Sequence, residues 1–369
     1  MRRITRWHGN KITAKPSAGC KLCALGAKLV LFITGDCDSN CFYCPVAKER
    51  RKDIIFANEQ EIKSPIEVIQ EAKMIFAKGA GITGGDPAIT LKRVIEYLSV
   101  LKQEFGENFH CHLYTSYSLT KKQLDELITA GLDEIRFHPP RLNLTNEMKK
   151  SIEESRKLEW ITGIEIPVIP DKEQSIIEII DFAVDNNLHF INLNEFEITE
   201  ANFEILNKMN YESKGAASAA VMGSEELAYK VLKRYKKSPI AIHYCTSQYK
   251  DKVQLRNRLI RRAKNYSKPF DTILNDGLIA RSRIKTKSVQ DLHKLQKSII
   301  EDFEVDNHMI EIDAKNCYLF TSWQIVNTLQ DSFLEYFKEE IVSIEIIHQY
   351  PYDGGFITYL EPLFEKDKI

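Results

Sequence analysis

Residues 37–44 read CDSNCFYC, three cysteines in the spacing C-x3-C-x2-C. Three thiolates on one short loop can hold three irons of a cubane 4Fe–4S cluster, because cysteine is the usual ligand of such clusters. The loop has no fourth cysteine. One iron would then stay open to a ligand from outside the protein, as at a catalytic metal site with a vacant position. Phe42 and Tyr43, beside Cys44, would shield the metal from water, which helps set its potential. A zinc site completed from elsewhere is the alternative, although zinc ligands usually come as two separated C-x2-C or C/H pairs. Buried core cysteines fit less well, since Asp36, Asp38, Ser39 and Asn40 flank the loop.

A second pair, Cys20 and Cys23, lies just upstream, and Cys245 ends the stretch PIAIHYC (239–245). Together they could hold a second iron–sulfur cluster or a zinc ion, with His243, Cys317 or a substrate atom as fourth ligand. Equally, Cys20 and Cys23 could form a redox pair or sit reduced below a sheet, with Cys245 buried in its strand. Cys111 and Cys317 stand in apolar, strand-like contexts and read as small core residues.

These residues need a scaffold. KLVLFITGD (28–36) is a near-continuous apolar run, as expected of a strand buried on both faces. Strand-like segments recur at 79–85, 110–116, 134–140, 161–170 and 190–198, with helical stretches between them. Ser64-Pro65-Ile66-Glu67 and Thr120 with Gln123 read as capping boxes, and Asp171 with Gln174 as a further cap. Six strand–helix units of about 25 to 30 residues each predict a parallel sheet with right-handed crossovers, as a partial barrel or a doubly wound sheet. Cys37 directly follows the first strand, and sites in such folds lie at the carboxyl ends of strands. Residues 210–226 read as a mobile loop. From about 270 the order changes, with strands expected at 308–314, 342–350 and 355–362.

The chain has 369 residues, 43% hydrophobic and 28% charged. Its formal net charge of -1 excludes a globally basic nucleic-acid binder but not a local basic face. No run of about 18 apolar residues is present, so no membrane span is expected. The basic start has no apolar stretch and does not read as a secretory signal. The expected setting is therefore a reducing one, the cytoplasm.

With the cysteine loop and the strand rhythm in view, the chain resembles the radical S-adenosylmethionine (SAM) superfamily. C-x3-C-x2-C with an aromatic before the last cysteine, after a first strand, carries the resemblance. Gly84-Gly85-Asp86-Pro87 extends it, resembling the family's GGEP motif with Asp in place of Glu. More narrowly, the stretches GCKLCALGAKLVLFITGDC, KDIIFANE and CTSQYKDKVQLRNRLIRRAK resemble archaeal-type proteins related to pyruvate formate-lyase activating enzyme.

The resemblance implies a partial (βα)6 TIM-like barrel with a smaller C-terminal α+β domain. It implies a 4Fe–4S cluster on Cys37, Cys41 and Cys44, with SAM chelating the open iron. Gly84, Gly85, Asp86 and Pro87 would meet the SAM amino group, through the backbone more readily than through the short Asp side chain. One electron, from a flavodoxin- or ferredoxin-like reductant, would cleave SAM to a 5′-deoxyadenosyl radical that abstracts hydrogen from a substrate. Glu165, Pro167 and Pro170 lie where related enzymes contact the SAM ribose and adenine. The expected division is an N-terminal extension with Cys-x2-Cys (1–27), a core (28–245), a basic helix or linker (246–269) and a C-terminal domain (270–369).

His138 ends the fourth strand and could contact SAM or substrate, or be a hydrogen-bonded structural residue. On the sixth strand, period two puts Asn192 and Asn194 on one face and Glu195 and Glu197 on the other. Such a polar strand either lines a pocket or sits at an open edge with a wet face. Residues 249–268 form an amphipathic basic helix whose Arg256, Arg258, Arg261 and Arg262 could grip an anion such as RNA phosphate.

Three functions follow: radical modification of a protein, radical modification of tRNA, or a non-catalytic iron–sulfur or zinc redox sensor. No residue is assigned as catalytic from the sequence.

Overall fold

In the computed structural model, which describes residues 4–216 and 218–366, the chain divides into two units. One runs to Leu255 and the other starts at Arg256. The first unit opens with a hairpin, β1 (Thr5–Trp7) and β2 (Asn10–Ile12), and helix α1 (Ala18–Ala24). Strand β3 (Lys28–Phe32) leads into the cysteine loop and a second hairpin, β4 (Ile55–Ala57) and β5 (Gln60–Ile62). Helix and strand then alternate: α2 (Pro65–Met74), β6 (Gly79–Thr83), α3 (Leu91–Phe105), β7 (His110–Thr115), α4 (Lys121–Thr129), β8 (Glu134–Phe137). The series ends with α5 (Asn146–Arg156), β9 (Ile161–Val168), α6 (Glu173–Asp185), β10 (Phe190–Glu195), α7 (Phe203–Lys208), α8 (Ser224–Arg234) and β11 (Ala241–Cys245).

Among the described residues the strands form one sheet in the order β1-β2-β11-β10-β9-β8-β7-β6-β3-β4-β5. From β11 to β3 every neighbouring pair is parallel. The hairpins add antiparallel strands at both ends. Period two sorts the side chains. Leu29, Leu31, Ala80, Ile82, Leu113, Ile135, Phe137, Ile164, Ile166, Ile191 and Leu193 are fully buried in one core. Val94, Leu98 and Leu101 of α3 and Leu124 and Leu127 of α4 belong to the same core.

The alternate positions are polar and carry α1. A Cβ on Gly19 of α1 would lie 2.5 Å from Arg136 Nη2 and 2.7 Å from His112 Cε1. One on Gly79 would lie 2.5 Å from Leu22 Cδ1. Only glycine lets this helix and this face approach so closely. Residues 5–24 are thus an integral part of the sheet unit rather than an appendage.

Several local expectations are met differently. Thr120 and Gln123 form a complete capping box. At α2 the Ser64 hydroxyl donates to Glu67 Oε1 (3.3 Å) instead of accepting a backbone hydrogen. Asp171 does not cap α6; its carboxylate accepts from Tyr211 Oη (2.5 Å). Strand β10 lies between β9 and β11, so it is not an edge strand. In the 210–226 stretch Ala220 and Val221 are buried, and both make isolated bridges.

The second unit holds β12 (Thr272–Ile273), β13 (Ile279–Thr286), β14 (Ile310–Asp313), β15 (Tyr318–Thr321), β16 (Ile341–Gln349) and β17 (Ile357–Glu365). They form an antiparallel sheet in the order β14-β15-β13-β16-β17, with β12 on β13. Helices Val289–Glu301 and Trp323–Phe337 supply Leu292, Leu295, Val326 and Phe333 to its own core with Ile284 and Ile344. Cys317 is half-exposed in a left-handed turn before β15, not a core residue. Cys111 is fully buried.

Glu134 and Arg136, two residues apart on β8, are 0% and 2% exposed and pair at 2.5 Å. Burial alone would raise the Glu134 pKa, but the Arg136 charge holds it well below the ordinary 4.5. The stability this carboxylate contributes is therefore complete above its unfolded-state pKa and is lost as pH falls toward the lower folded value. Arg136→Met should destabilise the protein by about 3–5 kcal/mol, since it strands buried carboxylates. Adding Glu134→Gln should recover part of that loss in urea denaturation. A double variant as unstable as the sum of the single ones would disprove the coupling.

Candidate functional site

The cysteine loop leaves the carboxyl end of β3. Cys37 is exposed, and Cys41 and Cys44 are half-buried. Asn40 takes a left-handed conformation (φ 44°) and Cys44 N–H donates to Cys41 O (3.0 Å), so the loop turns tightly between its second and third cysteines. Tyr43 is buried, while Phe42 is half-buried and stacks parallel to Tyr211.

Gly84 to Pro87 leave the end of the adjacent strand, β6, and are bonded directly to the loop's base. Gly85 N–H donates to Thr34 O and Asp86 N–H to Asp36 O, both at 2.7 Å. The glycines are needed for this approach. A Cβ on Gly84 would lie 2.3 Å from Thr34 O, and one on Gly85 2.3 Å from Asp36 O. The two motifs, about 40 residues apart in the chain, thus form one surface.

The Asp86 carboxylate is 1% exposed and does structural work. It accepts from Ala88 N–H (2.9 Å), Thr115 Oγ1 (2.9 Å), Ser116 N–H (2.5 Å) and Ser116 Oγ (2.6 Å). Ser116 Oγ in turn meets Ser39 Oγ of the cysteine loop at 2.9 Å. Asp86 therefore ties the ends of β6 and β7 to the loop, and the backbone of the motif is what faces outward.

A cavity of about 1430 Å³ opens beside these motifs. Its wall takes Lys28 and Val30 from β3, Gly81 and Thr83 from β6, Tyr114 from β7, Glu165 from β9, and Asn194 and Glu195 from β10. His138 also lines it, with both ring nitrogens occupied: Nδ1 lies 2.9 Å from Glu165 O and Nε2 2.9 Å from Tyr43 Oη. The carbonyl takes the Nδ1 hydrogen, so Nε2 accepts from the tyrosine. Burial holds the His138 pKa down, which keeps the ring neutral. His138 positions Tyr43, whose oxygen also accepts from Arg141 N–H (2.8 Å).

Asn192 and Asn194 do share a face, and both are turned on Glu165. Their Nδ2 groups donate to its two oxygens at 2.8 and 2.9 Å. Arg136 Nη1 reaches the same carboxylate at 2.8 Å. Glu195 accepts from Ser247 N–H (2.8 Å), and Glu197 pairs with Lys250 (2.8 Å).

Cys20, Cys23 and Cys245 are all buried. Burial opposes ionisation of Cys20, but Arg136 and His243 bring its thiol down to about 6. Its Sγ lies 3.4 Å from Asn192 Nδ2 and 3.8 Å from Arg136 Nη2. One grouping escaped the sequence reading. His110, His112 and Glu134 bring ligand atoms within 4.8 Å of one another. The signal was H-x-H on a strand. Glu134, however, is already bound by Arg136.

In the second unit, Arg256 donates to Asn275 O (2.6 Å) and Arg262 is buried over the Tyr352 ring (5.8 Å). Arg258 and Arg261 have partners as well, so all four arginines considered for anion binding are engaged.

The contact between motifs makes a test. Gly85→Ala should displace the cysteine loop, since its methyl meets backbone rather than a movable side chain. Iron held by this loop after anaerobic reconstitution should fall several-fold while far-UV circular dichroism stays unchanged. Full iron retention would show that the loop does not depend on this contact.

Among known proteins, residues 31–183 match the model of the radical SAM superfamily. A Methanocaldococcus jannaschii protein, provisionally named a glycyl-radical enzyme activating enzyme, is 41% identical over 309 residues, covering 79% of this chain and 80% of that protein. Among solved structures, Streptococcus suis SuiB bound to S-adenosylmethionine aligns with a TM-score of 0.42 at 14% identity, over 60% of this chain. The alignment spans half (50%) of SuiB's length. Methylornithine synthase PylB aligns with a TM-score of 0.41 at 12% identity, over 58% of this chain and 63% of that one. From the curated relative and the superfamily match, the chain belongs to the radical SAM superfamily of enzymes.

Proposed function

We propose that Cys37, Cys41 and Cys44 hold a 4Fe–4S cluster, that SAM binds beside it against Gly84 to Pro87, and that the substrate is a protein segment. The carrying observation is the pair of 2.7 Å backbone hydrogen bonds that join the GGDP turn to the cysteine loop at the cavity wall. The donor set fits the group: three thiols on one loop, without a fourth, suit a cubane with one open iron. When bound, the cluster and SAM supply a 5′-deoxyadenosyl radical that takes a hydrogen atom from the substrate.

The chain's own residues bind, orient and shield. Gly84 and Gly85 bring main chain close to the cofactor without side-chain bulk. Tyr43, fixed by His138 and Arg141, backs the loop, and Phe42 with Tyr211 covers its side. Two findings support a protein substrate. The curated relative is named for activating a glycyl-radical enzyme. The cavity also exceeds the roughly 300–1,000 Å³ usual for a small-ligand site, which leaves room for a peptide loop beside SAM.

The parallel strands would curl into a partial barrel. In a flat sheet β3 and β10, five steps apart, would stand about 24 Å from each other. Both nevertheless line the same cavity. The C-terminal unit would complete the molecule as an α+β domain. Among the described residues no helix is long and apolar enough to cross a membrane. The reducing cytoplasm suits the thiols.

An acidic flavodoxin- or ferredoxin-like protein would deliver the electron at Lys48-Glu49-Arg50-Arg51-Lys52. These cations have no carboxylate partner within 4 Å among the described residues. The turn is seated on the strand end just before Cys37: Gly35 N–H donates to Lys52 O (2.9 Å), and a Cβ on Gly35 would lie 1.7 Å from Arg50 O. No observation favours tRNA, since Arg256 and Arg262 are engaged internally.

Anaerobic incubation with dithionite and SAM should yield 5′-deoxyadenosine, and the Cys37, Cys41 and Cys44 alanine variants should yield none. A loaded cluster that produces no 5′-deoxyadenosine would overturn the reading. Reversing Lys48 and Lys52 to Glu should slow reduction by flavodoxin hydroquinone about tenfold or more and leave the dithionite rate unchanged. Equal slowing by both reductants would refute the docking face.

A further inference from the structure

The sheet face opposite the helices carries a second set of metal-ligand side chains, away from the GGDP turn. Cys20 and Cys23 sit three residues apart on α1, which puts them on one side of the helix. That side meets β10 and β11. Cys20 Sγ touches Asn192, and Ala24 packs with Cys245 and Tyr249. In the β10–β11 register Asn192 pairs with His243 and Asn194 with Cys245, so His243 and Cys245 share the face that α1 covers. Cys20, Cys23 and Cys245 are 5%, 7% and 7% exposed.

His243 adds an independent observation. It is 2% exposed, and its Nε2 has no hydrogen-bond partner. Its tautomer is set from behind. Glu165 accepts from Asn192 Nδ2 (2.8 Å), which turns Asn192 Oδ1 toward His243 Nδ1 (3.3 Å). Nδ1 therefore carries the hydrogen and Nε2 keeps its lone pair. A carboxylate–carboxamide–imidazole chain of this kind is how metal-bound histidines are oriented. Without a ligand, a buried and unpartnered imidazole nitrogen is simply a cost.

The surrounding charge agrees. Lys28, half-buried beside Cys23, has no carboxylate within ion-pair distance among the described residues, and its ammonium lies 5.9 Å from the centre of the Tyr114 ring. Arg136 reaches Cys20 at 3.8 Å. Cations collected around thiols match a ligand set that is anionic when metal-bound.

We propose that Cys20, Cys23, Cys245 and His243 hold a second iron–sulfur cluster, of the 4Fe–4S type. A single zinc ion needs its sulfurs about 3.8 Å apart, from Zn–S bonds of about 2.3 Å in a tetrahedron. Among the described residues no three of these four groups have ligand atoms all within 4.8 Å of one another. A cubane spreads its ligands more widely, one to each iron corner.

Metal analysis of the full chain tests this, independently of SAM cleavage. Anaerobically reconstituted protein should carry about 8 iron and 8 sulfide per chain. The Cys37, Cys41 and Cys44 triple alanine variant alters only the loop after β3, which contains none of the four proposed ligands. It should retain about 4 iron and lose all 5′-deoxyadenosine production. Adding His243→Ala to that variant should shift the electron paramagnetic resonance signal of the retained cluster. A folded triple variant with no iron, or with one zinc in place of iron, overturns the proposal. So does a retained signal that His243→Ala leaves unmoved.

Discussion

The Arg136 guanidinium is the constraint around which the sheet's polar face is arranged. It is buried, and a buried charge is tolerated only if its donors are all answered. Nε and Nη2 meet Glu134 on the same strand, Nη1 meets Tyr114 on β7 and Glu165 on β9, and Nη2 also meets Ser17 at the start of α1. One side chain thereby locks three strands and the incoming helix together. Its rigid, planar fork suits this task better than a lysine ammonium would.

The consequences run outward from there. Glu165, held by Arg136, in turn holds Asn192 and Asn194, and Asn192 orients His243. His138 takes its hydrogen-bond acceptor from the Glu165 carbonyl and passes order on to Tyr43, which backs the cysteine loop. The chemistry at the carboxyl ends of the strands and the thiols beside α1 are therefore supported by a single connected polar network. Apart from half-buried Ser17, its members are buried or line the cavity, so their bonds are made in a medium of low dielectric, where they are strong and where an unmade bond is expensive.

The division of labour within the GGDP turn follows from the same logic. From the sequence, the backbone of this turn was expected to meet a cofactor more readily than the short Asp86 side chain. The Asp86 carboxylate accepts four hydrogen bonds and fastens β6 to β7 and to the loop. Gly84 and Gly85, pressed against Thr34–Asp36, allow the two motifs to touch, and both glycines line the cavity.

Much of this was legible in the sequence. The apolar runs, the spacing of C-x3-C-x2-C, the turn at Gly84 and the capping box at Thr120 are local features, set by neighbours a few residues away, and they identify the family and the strand–helix alternation. What the sequence could not determine were partnerships across the sheet. Ser64 and Asp171 look like caps, yet each finds a competing side chain, Glu67 or Tyr211. The carboxamides of β10 could have faced water at an edge; the strand order placed them between β9 and β11, against Glu165. Cys20 and Cys23 stood in what read as an extension, and only the insertion of α1 over Gly79 brought them to Cys245 and His243. The physical reason is the same each time. Local pattern decides which element forms and which face is apolar, whereas the partner of a buried polar group is decided by what the fold brings within about 3 Å of it.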